Sequence, residues 1–179
     1  MTSERALRNL ALIGFMGAGK SSAGRLAADI LRFTFLDTDR VIEARAGSTI
    51  SELFARQGEP AFREWERRIV EELTRRSKTV IATGGGLPVN PANLISLKSH
   101  ALVVCLWASP DTIFERVHHH DHRPLLNEPE PLEKIRALLA VREPHYRQAD
   151  VLINTERRSV KEVAVQIVHQ FHLAQAGHP

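Results

Sequence analysis

The stretch "IGFMGAGKSS", Ile13 to Ser22, puts three glycines, a lysine and two serines directly after the apolar run "LALI", Leu10 to Ile13. Glycine in such density is conformationally costly and is used where backbone must turn sharply or approach a ligand closely. Within it "GFMGAGKS", Gly14 to Ser21, fits the spacing G-x-x-x-x-G-K-[ST] and lies between a strand-like run and a helix-like one. That placement suits a phosphate cradle. Backbone N–H groups turn inward, the following helix offers its positive N-terminus, Lys20 reaches the outer phosphates and Ser21 can ligate magnesium.

Outward from that loop, short apolar runs alternate with longer amphipathic ones. "LALI", "FTFLD", "TVIAT", "ALVVCLW" and "VLIN" have strand length, and the helical stretches between them predict an α/β protein with a parallel sheet covered on both faces. Helices are expected over Lys20 to Leu31, Asp39 to Ala46, Ile50 to Ala55, Pro60 to Arg76, Pro91 to Ser96, Pro110 to His118, Leu132 to Tyr146 and Val160 to Ala174. Pro60, Pro91 and Pro110 suit first-turn positions. One segment fits neither pattern. "HHHDHRPLLNEPEP", residues 118–131, is polar, proline-rich and long for a connection, which reads as a lid.

At 179 residues the chain has room for one domain, 1–179, with an apolar share of 43% that supports a sizeable core. The single cysteine, Cys105, excludes an internal disulfide or a multi-cysteine zinc site and suits buried strand packing. No apolar segment has the length of a membrane span and no secretory leader is evident, so a cytoplasmic protein without a membrane partner is expected. The net charge of +3 comes from arginines interleaved with glutamates, as in "FREWERRIVEEL", and aromatics make up only 6%, which argues against a nucleic-acid-binding stripe.

Three further motifs carry candidate chemistry. "FLDTDR" sets Asp37 and Asp39 at the end of the second strand, where ligands gather in open α/β sheets. If the extended chain persists to Asp39 the two carboxylates point apart, whereas a helix starting at Thr38 lets them converge. Either aspartate could be a helix cap. The alternative gives Asp37 to a hydrated magnesium ion and Asp39 to an acceptor hydroxyl. "TVIATGGGLP" ends the third strand in Gly84, Gly85 and Gly86, a backbone able to lie against a flat ligand and aim N–H groups at it. Arg63 in "AFREWERR", Arg123 in "HRPLL" and Arg142 in "VREPHY" are unremarkable alone. A small phosphoryl-transfer site, however, needs cations for the transferring group and a clamp for an anionic acceptor. His118, His119, His120 and His122 show no helical ligand pair with a carboxylate and read as a solvated cluster.

Taken together, "GFMGAGKSS", "LDTD", "FREWE", "TGGG", "RPLL" and "REPHY" give a chain that resembles shikimate kinases from about Leu10 to Phe171. The resemblance implies a nucleoside-monophosphate-kinase-like fold, a three-layer α/β/α arrangement around a five-stranded parallel sheet of order 2-3-1-4-5. It implies transfer of the ATP γ-phosphoryl group to the 3-hydroxyl of shikimate, with Mg2+. Gly17, Ala18, Gly19, Lys20, Ser21 and Ser22 would then hold the phosphates, and Ser21 with Asp37 the metal. Asp39, Arg63, Gly84, Gly85, Gly86 and Arg142 would contact shikimate, the two arginines gripping its carboxylate. Arg123 would be the lid arginine, Arg116 a second nucleotide contact and Arg158 the adenine contact, with Arg157 its nearest competitor. Lys20, Asp39 and Arg123 would be the catalytic groups, and the partners would be small molecules only, bound by a monomer. A gluconate kinase of the same fold is disfavoured by the triple glycine and the "FREWE" arginine. A non-catalytic sensor domain would be expected to lack Lys20, the aspartates or Arg123.

Overall fold

The computed structural model describes residues 6–118 and 130–177. Their elements run β1 (Asn9–Ile13), α1 (Lys20–Leu31), β2 (Thr34–Asp37), α2 (Thr38–Ala46), α3 (Ile50–Leu73), β3 (Thr79–Ala82), a 3-10 turn (Leu87–Val89), α4 (Pro91–His100), β4 (Ala101–Trp107), α5 (Pro110–Val117), α6 (Pro131–Tyr146), β5 (Val151–Asn154) and α7 (Val160–Ala176). Most of the segment read as a lid, together with His119, His120, His122 and Arg123, lies outside the described residues.

The five strands form one parallel sheet in the order β2-β3-β1-β4-β5. Successive side chains of a strand point to opposite faces, and β1, β3 and β4 in the middle of the sheet are buried on both, so their runs are mostly apolar rather than alternating, while β2 and β5 at the edges are partly exposed. Ala11, Ile13, Ile81, Val103 and Cys105 meet Ile42, Leu53, Ile69, Leu94, Ile113, Leu139 and Tyr146 on one face. Leu10, Leu12, Val80, Leu102, Val104 and Leu106 meet Ala23, Ala27, Val163, Ile167 and Phe171 from α1 and α7 on the other.

The helices begin as their sequences require. Thr49 and Ser159 each close a capping box, with Glu52 and Glu162, and Pro91 and Pro110 open α4 and α5 behind Asn90 and Ser109 caps. The break expected between the helices at Ile50 and Pro60 is present within α3, while several helix ends differ from expectation. Gly58 (φ 76°, ψ 176°) interrupts the helical path there and Pro60 restarts it. That element ends at Leu73 rather than Arg76. Likewise α4 runs on past Ser96 to His100, since Leu97 continues its buried face.

Candidate active site

Loops from the carboxyl ends of β1, β2 and β3, which are adjacent in the sheet, meet at one edge of the core. The helix after β1 packs on one face of the sheet and the helix after β3 on the other, which opens a crevice between two neighbouring strands.

The first wall is the loop after β1. Gly14, Gly17 and Gly19 have φ of 134°, 76° and 95°. Gly14 is irreplaceable on packing grounds as well, because a Cβ there would collide with the Leu106 carbonyl of β4. Gly19 caps α1, so the loop delivers the chain to the positive end of a twelve-residue helix. Ala18 is buried behind this turn, while Ser22 is exposed on the first turn of α1. Lys20 folds back over the loop, and its Nζ donates to the carbonyls of Gly14 at 2.8 Å and Phe15 at 2.9 Å.

Ser21 Oγ donates to Asp37 Oδ2 at 2.7 Å. The other Asp37 oxygen, Oδ1, accepts from the backbone N–H groups of Asp39 at 3.1 Å and Arg40 at 3.4 Å. Asp37 is therefore the cap of α2 and the partner of Ser21 at once, one task per oxygen. Because α2 starts at Thr38, Asp39 turns toward the same cleft as Asp37. Burial first, and the Asp37 charge second, push the Asp39 carboxyl up to about 6, against the opposing pull of Lys20 and Arg63. Its Oδ1 is buried and has no hydrogen-bond partner among the described residues.

The second wall is the triple glycine. A Cβ on Gly84 would lie 2.5 Å from Asp39 Oδ1, and one on Gly86 2.7 Å from Arg63 Nη1. The three amides do not all face a ligand as the sequence suggests. The Gly84 N–H donates to Thr38 Oγ1 at 2.9 Å, which fastens the loop to the start of α2.

Arg63 is not the solvated helix residue its neighbours imply. Its guanidinium donates to Glu59 Oε1 at 2.6 Å and to Glu66 Oε2 at 2.8 Å, and Glu66 is almost fully buried. Burial pushes the Glu66 carboxyl up, with Arg63 pulling it back. Sequence reasoning missed Glu66; the i, i+3 spacing in "FREWE" was its only signal, and burial distinguishes it from the other glutamates of α3. Arg142, from α6, stacks on the Phe15 ring at 5.6 Å, and its Nη1 would lie 3.4 Å from a Cβ on Gly85. One turn later Tyr146 donates its hydroxyl to the Gly85 carbonyl at 2.7 Å. Phe15, Thr38 and Tyr146 lie inside the quoted motifs "GFMGAGKSS", "LDTD" and "REPHY", but the sequence reading gave them no role.

The structure thus brings Lys20, Ser21, Asp37, Asp39, Arg63, Arg142 and the triple glycine together. Arg116 sits beside the first loop and bridges it to the β5–α7 connection, donating to Gly17 O at 3.3 Å, Thr155 Oγ1 at 2.9 Å and Thr155 O at 2.8 Å. Arg158 is exposed and its guanidinium is turned onto Gln166 of α7, while its competitor Arg157 holds a left-handed φ of 54°. His118 stacks on Phe114 and its Nδ1 lies 3.1 Å from the Phe114 carbonyl. Cys105 is buried in β4, with its thiol pushed up to about 12 by burial. Among the described residues no group of three or more His, Cys, Asp or Glu side chains is placed to hold a metal, and no helix is long and apolar enough to cross a membrane.

The chain is similar to known proteins over most of its length. The family model for shikimate kinase matches residues 16–172. The shikimate kinase of Thermodesulfovibrio yellowstonii is 42% identical over 171 residues, 96% of this chain and 99% of that protein. That of Thermus thermophilus is 44% identical over 160 residues, 89% of this chain and 87% of that protein. Among solved structures, the shikimate kinase of Acinetobacter baumannii in complex with shikimate superposes with a TM-score of 0.88 at 38% identity, covering 96% of each chain. A gluconokinase from Sinorhizobium meliloti, at 19% identity and a TM-score of 0.62 over 96% of this chain and 97% of that one, shares the fold alone.

Proposed function

We infer that this chain, which belongs to the shikimate kinase family, is an ATP-dependent kinase that phosphorylates shikimate, on its 3-hydroxyl. One observation carries the reading: Asp39 is the carboxylate that both halves of the crevice share. It is pulled by Lys20 from the phosphate-loop side and by Arg63 from the triple-glycine side, and the missing side chain of Gly84 leaves room for it.

On the nucleotide side, Gly17 to Ser22 would cradle the ATP phosphates, with Lys20 exchanging its loop carbonyls for phosphate oxygens. Arg116 and Arg158 would serve the nucleoside, and Arg123 the phosphates. The Ser21 hydroxyl and Asp37 carboxylate are two hard oxygen donors within 2.7 Å of each other, with no competing soft ligand, and they fit Mg2+ that completes its shell with phosphates and water. When bound, that ion supplies neutralisation of phosphate charge. On the acceptor side, Arg63 and Arg142 would hold the shikimate carboxylate, while Gly85 and Gly86 let the ring approach. Asp39, ionised at neutral pH but raised enough to accept a proton, would orient the attacking hydroxyl and take its hydrogen as the new O–P bond forms. The chemistry is mostly positioning and charge stabilisation, which this cleft supplies from rigid strand ends. The same reading makes the protein a cytoplasmic monomer acting on small molecules.

A coupled ADP-release assay run with shikimate, with gluconate and with no acceptor tests the assignment. Release dependent on both shikimate and Mg2+ is expected. Equal release with gluconate, or without any acceptor, would refute it.

A further inference from the structure

We propose that Tyr146 is a positioning residue for the acceptor: its hydroxyl ties the helix that carries Arg142 to the middle of the triple-glycine loop, setting the gap into which shikimate fits. The proposal rests on the shikimate reading of the cleft. Three observations support it. The hydroxyl donates to the Gly85 carbonyl at 2.7 Å across 61 residues of sequence, joining α6 to the loop after β3. Tyr146 is 2% exposed, so this bond is sheltered from water. Arg142 lies one helical turn earlier on α6, and its charge acts on the same hydroxyl.

The physical role follows from what a glycine loop lacks. Gly84, Gly85 and Gly86 carry no side chains to pack, so the loop's path is held by its backbone bonds. Gly84 is fastened by its N–H to Thr38. The Gly84 carbonyl accepts from the Leu87 N–H, and the Gly85–Gly86 peptide is fastened by its carbonyl to Tyr146, so that with its oxygen drawn toward α6 the Gly86 N–H edge faces away from that helix. Arg142 is held on its other flank by the Phe15 ring. Removing the phenol oxygen frees the loop and the Arg142 helix to drift apart, while the phosphate loop, built on β1 and α1, keeps its own supports.

Tyr146 is the one tyrosine in the chain, which gives a specific probe. In Y146F, the dissociation constant for shikimate should rise about five- to tenfold, the equivalent of one net hydrogen bond. The constant for Mg–ATP should stay within about twofold of wild type. In wild-type protein labelled with 3-fluorotyrosine, the single 19F resonance should shift on saturation with shikimate and stay unmoved with Mg–ATP alone. Shikimate affinity unchanged in a folded Y146F, or equal weakening of both ligands, would overturn the proposal and leave the kinase reading intact. If Y146F does not fold, the fluorine measurement decides, and a resonance indifferent to shikimate overturns it. Failure of the unaltered protein to bind shikimate would remove the reading of the cleft and this inference with it.

Discussion

Asp39 shows how one residue trades stability for chemistry. Its carboxyl sits at about 6 in the native state against 3.8 in an unfolded chain. Between those values the native state holds the proton more tightly, so stability is greatest at the acid end of the window and falls as pH rises toward about 6. Above it the ionised carboxylate costs the fold about 2 to 3 kcal/mol. Asp39→Asn should therefore melt at a higher temperature than wild type at pH 7.5, the gain shrinking as pH is lowered toward 4, while phosphoryl transfer is lost. Thermal melts of both proteins across that range check the sign. In wild type, kcat/KM for shikimate should decline as pH falls through about 6, as Asp39 takes up its proton.

At the scale of elements, the glycine loops act by letting neighbours in, and the neighbours differ. A Cβ on Gly14 would strike a backbone carbonyl of β4, which cannot yield, at a φ of 134° that L residues rarely adopt. Gly14→Ala should cost roughly 2 to 3 kcal/mol or more in stability. A Cβ on Gly86 would instead meet the far end of the Arg63 side chain, at 2.7 Å, and that end can swing away. Gly86→Ala should keep the fold and weaken shikimate binding by about tenfold or more, the scale of one charge-assisted bond. Chemical denaturation and calorimetric titration of the two variants separate these outcomes. Equal destabilisation of both would show that the loops are structural punctuation only.

For the whole molecule, the parallel sheet divides labour between its two faces. The α1 and α7 layer includes Phe171, 1% exposed and edge-on to Phe33 at 5.6 Å. The acceptor arginines belong to α3 and α6 on the other face. Phe171→Ala should cost about 3 to 5 kcal/mol and lower the melting temperature by roughly 6 to 20 °C. Its shikimate dissociation constant should remain that of wild type. A change in that constant would show that the two layers are coupled through the sheet.

The order of elements and the phosphate loop were open to reading from residues alone, because both rest on local chemistry. Apolar runs of strand length, proline at the first turn, and glycines at a strand exit act within a few residues of themselves. Helix α1 accordingly begins and ends where "KSSAGRLAADIL" says it should. The doubt over Asp37 and Asp39 could not be resolved that way, since it turned on whether α2 begins at Thr38. There the tertiary structure intervenes, with the buried Thr38 hydroxyl accepting from Gly84, 46 residues away. Arg63 is the same case at longer range: among so many charged residues on α3, it is the tertiary packing that buries Glu66 as its counter-charge and sets the Arg63 guanidinium against Gly86. Local preferences are written residue by residue, but desolvation, and the pairing of groups that it enforces, exists only once distant segments are packed together.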